Sequence, residues 1–178
     1  MKFISKNRWL IATIAFYITL FIFEQANYYL APYGINIMIT GMLLSFSSLN
    51  LSHTQGSLAL IPIAFYLDTR TPFPFGSILL ALIGLHYAAV LVRYQLRRET
   101  EGVSLAVALA ANIALFAIYT LLAVTYLGTQ GLNGFQITIN LLASSLVIAL
   151  LNLHYRRALI EIFGFWGINI EEKKRQSR

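Results

Sequence analysis

The sequence predicts an all-α integral membrane protein of about six transmembrane helices with both termini cytoplasmic, and three observations lead there. First, 58% of the 178 residues are hydrophobic and 11% are charged, against roughly 25% charged in an average soluble domain. Mean hydropathy is +0.69. Second, apolar runs recur at residues 9–23, 35–51, 57–67, 75–92, 103–127 and 135–153, and most approach the ~20 residues that cross a bilayer as a helix. Third, charge is placed between the runs. Lys2, Lys6 and Arg8 precede the first, Arg93, Arg97 and Arg98 follow the fourth, and Arg156, Arg157, Lys173, Lys174, Arg175 and Arg178 follow the sixth. Six spans with both ends inside put twelve of the thirteen Lys and Arg on the cytoplasmic side, with Arg70 opposite, as the positive-inside rule expects.

The first run follows a basic start without a small-residue cleavage pattern, so it is expected to remain as an anchor. It gives way to Glu24-Gln25-Ala26-Asn27-Tyr28-Tyr29, an acidic and aromatic edge suited to the outer interface, where Glu24 is expected to snorkel. The second run carries Asn36, Thr40, Gly41, Ser45, Ser47, Ser48 and Asn50. That many polar groups predict an interior helix, because each wants a partner inside a bilayer.

The third run is the weakest span. Its eleven residues cover roughly 16 Å of helix, and Pro62 interrupts them. A re-entrant third run would leave five spans and place four of the thirteen basic residues inside, so the charge count favours six. On the fourth run Ala81, Gly84 and Ala88 share a face, and on the fifth Ala106, Ala110 and Ala114 do so. Such small faces let backbones approach closely, either between these two spans or with a partner's helix. After the sixth run, Arg156 to Ile170 mixes apolar and charged residues and is expected to lie in the inner interface ahead of a basic tail, residues 156–178 together. Gly164 and Gly167 weaken it as a helix.

Enzyme chemistry has no visible apparatus. No GxSxG, Walker A loop or dinucleotide fingerprint occurs, and without cysteine there is no thiol nucleophile, disulfide framework or cysteine metal site. His53, His86 and His154 fall in the second-to-third loop, mid fourth span and the end of the sixth, are expected to lie far apart topologically, and lack metal-ligand spacing. No metal, cofactor or nucleic-acid partner is expected. His86, an ionisable group in mid-span, is by default a functional candidate, or a core histidine satisfied by Asn112 or Asn140.

The candidate functional segment is Asp68 to Gly76, where Asp68, Arg70, Pro72, Phe73, Pro74, Phe75 and Gly76 stand between two apolar runs. Asp68 is suited to cap or pin a tight turn, with both prolines fixing the backbone and Gly76 opening the next helix. The same turn presents aromatics of the kind that anchor an external partner.

An apolar run ending in Leu67-Asp68, a short turn, Pro74-Phe75-Gly76, an aliphatic helix and then the basic cluster Arg93 to Arg98 resembles the rod-shape-determining MreD family. The likeness in length, hydropathy and basic ends covers essentially the whole chain, and its specific motif about ten residues. The family often has a Gly four residues before the Asp and a small uncharged turn after it; here Ala64 and Thr69-Arg70-Thr71 stand there. The resemblance implies a non-enzymatic scaffold of the bacterial inner membrane. Such a scaffold partners MreC and helps couple MreB filaments to the wall-synthesising glycosyltransferase and transpeptidase. On that reading Gly84, Ala88, Ala106, Ala110 and Ala114 are candidates for helix docking.

The family's helical arrangement is similar to the substrate-binding subunits of energy-coupling-factor transporters. A small-molecule transporter subunit is therefore the alternative function. Those subunits usually carry an AxxxA face on the first helix, whereas here Ala12 is followed at the fourth position by Phe16.

Overall fold

The computed structural model describes residues 7–95, 101–128 and 133–168. These form six helices and a short 3-10 turn: α1 (Arg8–Leu30), the turn Ala31–Tyr33, α2 (Thr40–Asn50), α3 (His53–Asp68), α4 (Ser77–Gln95), α5 (Glu101–Leu127) and α6 (Gly134–Phe165). Arg97, Arg98, the first six residues and the basic tail at 169–178 lie outside the described residues. Three helices, α1, α5 and α6, are long and apolar enough to cross a membrane, and α4 carries a shorter apolar stretch, Ser77–Arg93. The chain is an all-helical protein with the character of a membrane protein.

At the centre stands α2, all eleven of its residues buried. Its three serines find partners in neighbouring turns and helices. Ser45 donates to the Ser104 carbonyl at 2.8 Å, while Ser47 and Ser48 each donate to the Leu44 carbonyl at 2.9 and 2.8 Å. Packing is closest where glycine removes a side chain. A Cβ on Gly41 would lie 2.4 Å from the Ala108 carbonyl oxygen of α5, and one on Gly56 of α3 would lie 2.5 Å from His86 Cε1 of α4. Phe46 of α2 meets Phe16 of α1 edge-on at 6.2 Å and stacks on Phe163 of α6 at 6.1 Å, so one aromatic column joins three helices.

Several boundaries differ from those the sequence suggests. The first helix does not end at Phe23 but continues through Leu30, because nothing in Glu24–Tyr29 breaks a helix. The second run is not a helix over 35–51; residues 35–39 are irregular and the helix starts at Thr40. The third run is a continuous helix of sixteen residues, His53–Asp68, with Pro62 inside it. Ser52 begins it, accepting from the Gln55 N–H at 3.4 Å, the first half of a capping box. Proline leaves the Leu58 carbonyl without its helical donor, and beside that gap hydroxyls of α1 bond other carbonyls of α3. Thr13 donates to the Ala59 carbonyl at 3.3 Å and Tyr17 to the Pro62 carbonyl at 2.8 Å.

The separate interfacial segment expected from Arg156 is not separate. Residues 156–165 extend α6 to 32 residues, roughly 48 Å. Gly167 acts as its stop rather than as a weak point: with φ +71° it donates to the Gly164 carbonyl, and Ile168 N–H reaches back to Phe163. This pairing, with Phe163 and Ile168 both buried, is a Schellman ending.

The small faces of α4 and α5 do not pack against each other. Gly84, Ala88, Ala106 and Ala110 are exposed and Ala114 is half-buried. Outward with them point large apolar side chains, among them Leu80, Leu142, Leu146 and Leu150.

Candidate functional site

Asp68 closes the gap between α3 and α4. Its carboxylate accepts the Ile78 N–H at 2.8 Å on Oδ1 and the Leu79 N–H at 3.2 Å on Oδ2. The residue is 3% exposed. A helix start leaves N–H groups unpaired and carries partial positive charge, so an anion from the preceding helix meets both needs. Between them the chain turns through Arg70 N–H to the Leu67 carbonyl at 3.0 Å and Ser77 N–H to the Pro74 carbonyl at 3.1 Å. Gly76, at φ +95°, occupies backbone space that a side chain would resist.

The turn has an inner and an outer side. Phe73 packs into the core, edge-on to Tyr119 of α5 at 5.8 Å. Phe75 is 67% exposed and stacks on Phe65 at 5.5 Å, and Pro72 and Pro74 are exposed. Arg70 folds back, its guanidinium 5.3 Å from the centre of the Tyr66 ring, a cation–π distance.

Beside the turn lies a cavity of about 840 Å³ lined by residues of α1, α3, α5 and α6 and by Asn36 to Thr40. At its rim Tyr66 donates to Glu24 Oε2 at 2.5 Å and accepts from Arg70 Nη2 at 3.3 Å. Glu24 is therefore not a snorkelling surface acid: it is half-buried and engaged by α3.

The irregular stretch ahead of α2 forms another wall, and side chains satisfy its backbone. Asn27 of α1 clasps Ile37, accepting from its N–H at 2.8 Å and donating to its carbonyl at 2.9 Å. From α6, Asn140 accepts the Asn36 N–H at 3.0 Å, Ser144 accepts the Met38 N–H at 2.9 Å, and Gln136 donates to the Gly34 carbonyl. These side chains supply the main-chain partners that a helix would have provided, and from Asn36 onward the stretch lines the cavity. One turn below the cavity-lining Phe116 sits Asn112, fully buried, with neither amide atom partnered. A Cβ on Gly41 would lie 2.8 Å from its Cβ.

At the other end of α2, His86 finds neither Asn112 nor Asn140. Its Nδ1 is 3.3 Å from Ser47 Oγ and its Nε2 is 3.3 Å from the His53 carbonyl. His53 and His86 are not far apart as expected: α3 and α4 pack side by side and their rings stack with centroids 5.4 Å apart. Among the described residues no group of three His, Asp or Glu comes together. Nearby, Arg93 Nη1 donates to the Ser48 and Leu51 carbonyls at 3.0 and 2.9 Å, closing the C-terminal end of α2.

The turn residues expected from sequence thus converge on one end of the bundle, whereas the small-residue faces lie apart from it. The cavity, its Glu24–Tyr66–Arg70 rim and the clasp around residues 34–38 were not anticipated. Two signals pointed to them: the four-residue spacing of Gln136, Asn140 and Ser144 on an apolar helix, and that of Tyr66 and Arg70. No family model matches this chain, and neither a curated protein nor a solved structure matches it.

Proposed function

We propose that this chain is a non-enzymatic scaffold of the bacterial inner membrane, akin to the MreD family. It crosses six times with both termini in the cytoplasm. It binds MreC and helps couple MreB filaments to the wall-synthesising glycosyltransferase and transpeptidase. The observation that carries the reading is the Asp68-capped turn, which holds its backbone from within and leaves Phe75 outward for a partner to cover.

Length supports six crossings. The five irregular residues ahead of α2 and its eleven helical residues together reach at most roughly 33 Å, against the ~30 Å of a hydrocarbon core. The sixteen residues of α3 reach roughly 24 Å, and the turn after it adds depth. Arg8, Arg93, Arg156 and Arg157 then share one side, opposite Arg70.

The cavity favours a second reading, a small-molecule-binding subunit of an energy-coupling-factor-type transporter. Pulldown of the tagged chain from its native membrane in mild detergent, with mass spectrometry of proteins and small ligands, tests both. MreC and wall synthases are the expected co-purifying proteins. An ATPase module or a tightly held vitamin instead would overturn the scaffold reading.

A further inference from the structure

The cavity rim presents one carboxylate and one guanidinium, tied together through a single phenol. Tyr66 takes one acceptor site of Glu24 and one donor of Arg70, out of about four lone-pair sites and five N–H donors respectively. Both groups line the cavity with most of their hydrogen-bonding capacity unspent. A ligand carrying an ammonium and an anion a few bonds apart would use that capacity through charge-assisted hydrogen bonds. The volume, about 840 Å³, lies within the range of small-molecule sites.

A second feature selects among zwitterions. An apolar groove lined by Tyr17, Ile18, Phe21 and Tyr66 adjoins the rim and shares Phe21 and Tyr66 with the cavity. Ile18 and Phe21 are 57% and 62% exposed on the outward face of α1, the side that faces hydrocarbon in a bilayer. A soluble zwitterion would occupy the charged rim and leave the groove empty. A molecule with a polar head and a hydrocarbon tail fills both.

We propose that this is a site for a zwitterionic phospholipid of the phosphatidylethanolamine class. The ammonium sits against Glu24, the phosphate against Arg70, and one acyl chain lies in the Tyr17–Ile18–Phe21 groove. Tyr66 ties the two charged side chains side by side at the rim. The site rests on the membrane placement proposed above and is independent of the scaffold role.

The test is native mass spectrometry of the full chain, purified in mild detergent, delipidated, and titrated with phosphatidylethanolamine, phosphatidylglycerol or soluble phosphoethanolamine. Phosphatidylethanolamine is expected to bind at least about tenfold more tightly than the other two, the scale of one lost hydrogen bond to a charged group. Glu24→Gln should weaken phosphatidylethanolamine by about tenfold and leave phosphatidylglycerol unchanged, whereas Arg70→Gln should weaken both lipids. Ile18→Trp, on an exposed face outside the core, should lower lipid binding by filling the groove, and it carries the test if a rim variant loses its helicity. Equal binding of the two lipids to the unmodified chain would overturn the site. Phosphoethanolamine binding as tightly as the lipid would reassign it to a soluble zwitterion and overturn the lipid. Failure of the membrane placement itself would register separately, as a chain that partitions into the aqueous phase on detergent phase separation.

Discussion

Asp68 and Ile78, ten residues apart, are joined by a 2.8 Å hydrogen bond that makes the last side chain of one helix the cap of the next. A carboxylate in that position satisfies backbone donors and complements the helix dipole together. Asp68→Ala should therefore lower stability by about 1–3 kcal/mol, and Asp68→Asn, which keeps an acceptor but not the charge, by less. Thermal unfolding in detergent reads both. An unchanged midpoint for the alanine variant would show that the cap contributes nothing.

Glycines at contrasting positions make a paired test. At Gly41 a new methyl group would meet backbone atoms of α5 at 2.4 and 2.8 Å, which cannot step aside as a flexible side chain would. Gly41→Ala should cost about 1–3 kcal/mol by overpacking. At Gly84 nothing lies within 4 Å, so alanine there should stabilise the helix by up to ~1 kcal/mol. Opposite shifts in melting temperature are expected.

Asn112 is enclosed among helices with both amide atoms unpartnered. Burying such a group costs about 1–3 kcal/mol, so Asn112→Leu should raise the unfolding midpoint. A fall would mean that the amide has a partner in the working protein.

Labelling determines the sidedness of the turn. Because the chain has no cysteine, Thr71→Cys provides a unique thiol, expected to react with an impermeant reagent added from outside the cytoplasm. Reaction solely from the cytoplasmic side would reverse the proposed topology.

Ala88 and Ala110 face outward, so enlarging either to Leu should leave the isolated chain folded. If a partner helix docks there, co-purification of that partner should fall. Full recovery with both variants would assign these faces to lipid.

Much of this arrangement is legible in the sequence. The helical class followed from the apolar runs, the interior place of α2 from its serines, and the capping role of Asp68 from its position ahead of two prolines and Gly76. What escaped the sequence depended on contacts between distant residues. Nothing near Gly41 or Gly56 marks them as the points of closest approach; the partners that make them so, Ala108 and His86, lie in other helices. Alanine and glycine spaced by four residues looked like packing faces, yet the bundle turns Gly84 and Ala106 outward, because Leu82, His86, Ala108 and Asn112 occupy the inner faces of the same helices. Glu24 looked like a surface acid because its partner, Tyr66, comes from 42 residues away.

The clasp on residues 34–38 also sets an order of assembly. Its donors and acceptors from α6 lie 102 to 106 residues downstream of the backbone they serve. The ribosome therefore delivers the second segment long before Gln136, Asn140 and Ser144 exist to receive it. Until they arrive, Gly34, Asn36 and Met38 must find other partners for their main-chain bonds. The second segment to be synthesised is thus among the last to be completed, and a chain cut short before α6 would leave it unfinished.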